Sequence, residues 1–136
     1  MEHVVCQPAR SRVMIVEDEA VVALDLEMRL ERLGYEVVGV ASRGRDALAI
    51  AREALPDIVL MDICIEGSMD GVETARAIKR HRDVPTVFLT AYADDATLER
   101  AASVSPYGYL LKPFEERALA AAITIALRCH AADARA

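Results

Sequence analysis

No stretch of this sequence approaches the length and apolarity of a membrane span, and residues 1–11 hold Glu2, His3, Gln7 and Pro8 where a signal peptide needs a continuous apolar region. A cytoplasmic location is the expectation. A surplus of positive charge is also missing: the formal net charge of -6 repels phosphate backbones and anionic lipid, so nucleic-acid and membrane-surface roles have no electrostatic support. The cysteines, Cys6, Cys64 and Cys129, are odd in number and form no C-x-x-C pair, and they read as reduced thiols rather than a disulfide framework or metal site. Nor does a glycine-rich loop follow the first apolar run, which ends on Glu17-Asp18-Glu19-Ala20; this sets aside a nucleotide-binding module.

What remains is a chain of 136 residues, 54% hydrophobic and 28% charged, enough for one domain with a packed core. Its centre is Ile58-Val59-Leu60-Met61-Asp62, four apolar residues ending on a carboxylate, the pattern of a buried parallel strand that carries one acid to its mouth. Other strands are expected over 13–16, 37–41, 84–90 and 107–111. Between them lie helical patterns. The first spans 19–33 with Val22, Leu26, Leu30 and Leu33 on its core face and Gly34 as its stop. The second, with Ser42 as cap, carries Leu48, Ala51 and Leu55 until Pro56 ends it. Asp70 and Glu73 form a capping box for a third helix that runs to about Arg80. Asp94 and Asp95 start a fourth, which offers only Leu98, Ala101, Ala102 and Val104 to the core and is the expected moving part. A last helix spans 115–128, with a frayed end over 129–136.

Five strands alternating with five helices predict a flavodoxin-like, doubly wound parallel sheet with helices on both faces and strand order 2-1-3-4-5. In that order four neighbouring strands end on Glu17-Asp18, Asp62, Thr90 and Lys112, while the edge strand ends on Ala41. Three carboxylates brought together raise one another's pKa unless a cation intervenes, and a hard divalent ion such as Mg2+ is the usual solution. A hydroxyl and an ammonium opposite the acids suit a phosphoryl group.

These residues resemble, in pattern and order, the receiver domain of bacterial two-component response regulators over roughly residues 12–130, with a flexible arm over 1–11 and a tail over 131–136. The resemblance rests on the acidic pair Glu17-Asp18, Asp62 after strand three, Thr90 with the small Ala91 after strand four, and Lys112-Pro113-Phe114 after strand five. It implies that Asp62 accepts a phosphoryl group from a sensor histidine kinase or phosphotransfer protein, and that Mg2+ is held by Asp18, Asp62 and the Cys64 backbone carbonyl, with Glu17 acting through water. It further implies that Lys112 pairs with a phosphoryl oxygen, that Thr90 and Tyr109 form the switch, and that the Lys112-Pro113 bond is cis. Such a domain consumes its own acceptor and is not classed as an enzyme. Two features depart from the family: the loop after Asp62 is one residue longer than usual and lacks a proline, and the chain stops past the last helix, so output is expected through contact with a downstream protein.

The rival function is a Mg2+-dependent phosphohydrolase of the haloacid dehalogenase type, which needs a second Asp two positions after the first; here that position is Cys64. A second apolar group on the first helix, Val21, Leu24 and Met28, lies nearly opposite its core stripe. Receivers generally dock their kinase through this helix, so the group is expected to be a docking patch, with a second copy of the chain as the alternative occupant.

Overall fold

The computed structural model describes residues 10–91 and 94–135, so the predicted arm falls almost wholly outside the described residues, as does Cys6. The elements run β1 (Arg12–Val16), α1 (Ala20–Arg32), β2 (Glu36–Ala41), α2 (Gly44–Ala54), β3 (Ile58–Asp62), α3 (Gly71–His81), β4 (Thr86–Thr90), α4 (Asp95–Ala102), β5 (Gly108–Leu111) and α5 (Glu116–Arg135). All strand pairs are parallel and the order is β2-β1-β3-β4-β5, as expected. Among the described residues no helix is long and apolar enough to cross a membrane.

The two faces of the sheet follow from the alternation of side chains along its strands. Met14, Val16, Val59, Met61 and Phe88 point to one side, where α2, α3 and α4 cover them through Ala47, Val72, Ile78 and Ala101. Val13, Ile15, Leu60, Val87 and Leu89 point to the other, against Leu26 and Leu30 of α1 and Leu119 and Ile123 of α5. Each fully buried side chain of this size contributes about 1.5–3 kcal/mol. The central strands β3 and β4 are buried along their whole length, whereas β2 and β5, at the edges, are partly open.

Several expected boundaries move. Ser42 is not a cap: α2 starts at Gly44, its N-cap is Arg43, and no side chain caps it. Its first residue packs closely on α3, where a Cβ on Gly44 would stand 2.3 Å from Thr74 Oγ1. Leu55 is not a core residue of α2. It is the C-cap, left-handed at φ 49° and ψ 62° and 51% exposed, and Pro56 behind it prevents another helical turn. β4 starts at Thr86 rather than Val84, and β5 at Gly108 rather than Tyr107.

The frayed end expected over 129–136 is corrected through Arg135, where α5 continues as helix. Contacts remote in sequence tie it down: Tyr107 Oη donates to Asp133 at 2.5 Å, His130 Nε2 lies 3.2 Å from Asp83, and the Tyr107 and His130 rings meet edge to face. The capping box at Asp70 and Glu73 is present as expected, with bonds of 2.9 and 3.0 Å. α4 buries only Ala101 along its length, the small anchoring area that its sequence predicted.

Candidate functional site

The parallel register brings the working residues to one edge of the sheet. Asp62 closes β3 and pairs in register with Leu89, Thr90 closes β4 beside Leu111, and the Lys112 amide donates to the Thr90 carbonyl at 2.8 Å. Glu17 follows β1 and is fixed by its amide, which donates to Ala41 O at 2.9 Å, and by its carboxylate, which accepts from the Glu19 amide at 3.1 Å. Glu17, Asp62 and Thr90 are buried at 1%, 6% and 1% exposure, so the acids stand at the floor of the site rather than on an open surface.

The carboxylate oxygens of Glu17, Asp18 and Asp62 lie within 4.8 Å of one another. Asp62 Oδ1 accepts from the Cys64 amide at 3.0 Å, and Asp62 Oδ2 from Lys112 Nζ at 3.2 Å; the same ammonium donates to Glu17 Oε1 at 2.6 Å. Lys112 thus pairs with two of the three acids, Glu17 and Asp62, while the cluster as a whole remains a set of ligands compatible with the expected divalent ion. Sequence reasoning aimed that lysine at a phosphoryl oxygen and missed its pairing with Glu17, across 95 residues of chain. The Lys112-Pro113 bond is cis, as the resemblance implied.

Burial, reinforced by the neighbouring Asp62, outweighs the hydrogen bonds from Lys112 and the Glu19 amide and holds the Glu17 carboxyl up at about 7. Burial opposes the Lys112 charge, but the Glu17 hydrogen bond and the nearby carboxylates outweigh it and hold the ammonium above its ordinary value. In metal-free solution the unfolded Glu17 releases its proton near 4.5 and the folded one only near 7. The native state therefore holds an extra proton in that window, and its stability falls as pH rises through it. Glu17→Gln is expected to flatten this slope in denaturant unfolding under chelator. An unchanged slope would show that another group carries it.

Hard oxygen donors clustered on one face suit a hard divalent cation that keeps part of its water shell, and this chemistry fits Mg2+. Cys64 is exposed, and partial burial together with the Asp62 and Asp70 carboxylates pushes its pKa up, which disfavours the thiolate. Beside Thr90 lies a cavity of about 620 Å³ lined by Leu98, Ala102, Tyr109 and Leu111. Tyr109 is 41% exposed, with its ring stacked on Phe88 at 6.2 Å between centroids. Arg100 of α4 pairs with Asp70 at 2.8 Å, which links that lightly anchored helix to the start of α3.

Sequence reasoning also missed Gly71. Its amide donates to Ile63 O at 2.8 Å, and a Cβ there would stand 2.0 Å from the Asp62 carbonyl oxygen. The only signal was the Asp-Gly pair at the head of α3.

A doubly wound sheet with acids, a lysine and a threonine converging on adjacent strand ends makes a site suited to a phosphoryl group held beside a divalent cation. The family model for the response regulator receiver domain matches residues 13–124, and the chain belongs to this family. It is 40% identical over 116 residues to the transcriptional regulatory protein PdtaR of Mycobacterium tuberculosis, a match covering 85% of this chain and 56% of the relative. It is 35% identical over 115 residues to the transcriptional regulatory protein AfsQ1 of Streptomyces coelicolor, covering 85% of this chain and 50% of that protein. The chain thus spans about half the length of these curated relatives. Among solved structures, the signal receiver domain of a modulated diguanylate cyclase from Desulfovibrio desulfuricans superposes with a TM-score of 0.87 at 39% identity, covering 91% of this chain and 98% of that one. The N-terminal domain of a response regulator/sensory box/GGDEF protein from Carboxydothermus hydrogenoformans gives 0.84 at 37%, covering 91% and 99%.

Proposed function

We propose that Asp62 is the phosphoacceptor of a two-component relay in the cytoplasm, charged by a sensor histidine kinase or a phosphotransfer protein. The observation that carries the reading is the setting of Asp62: a buried carboxylate at the mouth of β3, gripped by Lys112 and the Cys64 amide within a cluster of acids. In the transfer a carboxylate oxygen of Asp62 bonds to phosphorus as the phosphorus–nitrogen bond of the donor breaks, and the imidazole leaves with the electron pair. Asp18, Asp62 and the Cys64 carbonyl would hold Mg2+, with Glu17 acting through water. When bound, the ion supplies positive charge to the phosphoryl oxygens. Lys112, released from Glu17, pairs with one of those oxygens, Thr90 turns toward another, and Tyr109 moves into the cavity beside Thr90.

Incubation with acetyl phosphate and Mg2+ is expected to add one phosphoryl group by intact-mass measurement, and chelator to prevent it. Turnover of simple phosphate esters without a stable adduct would instead restore the dehalogenase-type reading.

The docking surface in this proposal is the outer side of α1, where Val21, Leu24 and Met28 are 81%, 58% and 51% exposed. Each of the three leaves half or more of its surface open, and a Met beside a Leu suits the groove of a helical bundle. Leu24→Asp and Met28→Asp are expected to slow transfer from the cognate kinase at least about tenfold while leaving acetyl-phosphate labelling unchanged. Wild-type transfer rates in both variants would remove the patch as the docking surface and direct attention to a homodimer contact.

A further inference from the structure

At the pole of the domain opposite Asp62, where α2 and α3 end, a cavity of about 230 Å³ opens between the two helices and the start of β4. Its wall is apolar: Leu48 from α2, Ile78 from α3, and Val84. Its rim is basic, formed by Arg52, His81 and Arg82. Arg52 Nη2 lies 2.6 Å from His81 Nε2, and Arg82 donates to the Pro56 carbonyl. Among the described residues none of the three has a carboxylate within ion-pair distance. The chain has 22 acidic against 16 basic residues, so a rim carrying two guanidiniums and no acid runs against its average charge.

The Arg52 contact with the His81 ring occupies one nitrogen of a fork that matches both oxygens of a carboxylate. Leu55 stands at the mouth, half exposed, in the left-handed conformation that glycine usually takes at this position. The rim therefore gains an apolar lip where the local backbone favours no side chain at all. Pockets for drug-sized ligands run to about 300–1,000 Å³, and this one is smaller.

We propose that this cavity is a binding site for a small organic carboxylate with a compact apolar body, its ring or branched chain set against Leu48, Ile78 and Val84 and its carboxylate held by Arg52 and Arg82. The apolar wall gives such a ligand its affinity and the guanidiniums give the selection for negative charge. The site is separate from the phosphoacceptor, since it lies at the amino ends of the strands and shares no residue with the acidic cluster.

The test is a methyl-resolved NMR titration of the whole chain with 2-naphthoate and, in parallel, with the neutral isostere 2-naphthylmethanol. Naphthoate is expected to give saturable shifts confined to Leu48, Leu55, Ile78 and Val84, with the alcohol at least about tenfold weaker. Arg52→Gln is expected to bring naphthoate down to the level of the alcohol while leaving the alcohol's own affinity and acetyl-phosphate labelling unchanged. The proposal is overturned if acid and alcohol bind equally, if the shifts fail to saturate or gather elsewhere, or if Arg52→Gln leaves naphthoate binding as it was.

Discussion

Asp62→Asn is expected to take up no phosphoryl group from acetyl phosphate or from a kinase, while folding as the wild type does. The substitution keeps the planar shape of the side chain: the amide oxygen can still accept from the Cys64 amide, 3.0 Å from Oδ1, while the amide nitrogen, a donor, replaces the oxygen that Lys112 reaches at 3.2 Å and leaves that ammonium its shorter bond of 2.6 Å to Glu17. What it removes is the anionic oxygen that must form the bond to phosphorus, and an amide oxygen is too weak a nucleophile to replace it. Removing one of three crowded negative charges also relieves repulsion with Glu17. Stability in metal-free buffer is therefore expected to hold or rise, so that loss of labelling cannot be blamed on unfolding. Intact-mass measurement beside a thermal melt checks both. A single adduct on the variant would mean that another residue is the acceptor.

Gly71→Ala is the substitution expected to cost the most stability for the fewest atoms. A Cβ at this position would meet the Asp62 carbonyl oxygen at 2.0 Å, Ile63 Cα at 2.7 Å and the Asp62 carbonyl carbon at 2.9 Å, all of them backbone and unable to rotate away. Either α3 lifts off the sheet or the end of β3 is displaced, and overpacking of this kind costs roughly 3 kcal/mol or more. For a domain of this size that is a fall in Tm of about 10 °C. Phosphoacceptance should fall with it, because the displaced backbone carries the acceptor. Gly108→Ala is the control, since its Cβ would meet Val87 only at 3.7 and 3.8 Å, ordinary contact distances. If Gly71→Ala melts within about 2 °C of the wild type, the close approach of α3 to β3 is looser than the structure shows.

The strand ends were legible in the sequence for a specific reason. A parallel strand buried on both faces is written as an unbroken apolar run, and 58–61 and 13–16 are such runs, so the acids that follow them stand out. The capping box at Asp70 is likewise local, needing only residues three apart. What could not be read was set by partners far along the chain. The close packing of Gly44 at the head of α2 involves Thr74, the end of α5 past Arg128 is held by Asp83 and Tyr107, and the grip of Lys112 on Glu17 spans 95 residues. Leu55 was misread because helical spacing assigns it to the core face, whereas the proline after it ends the helix and turns the side chain out.

The edge position of β2 has a consequence for how such a domain can diversify. The acids, the threonine and the lysine all sit on β1, β3, β4 and β5 or just past them, and none comes from β2 or α2. No side chain of residues 36–55 belongs to the acidic cluster, so substitutions there can accumulate without removing a group from the phosphoryl site. A lineage that keeps the acceptor invariant can therefore use this arm to acquire a recognition property of its own, and two members with identical strand ends can come to answer to different molecules.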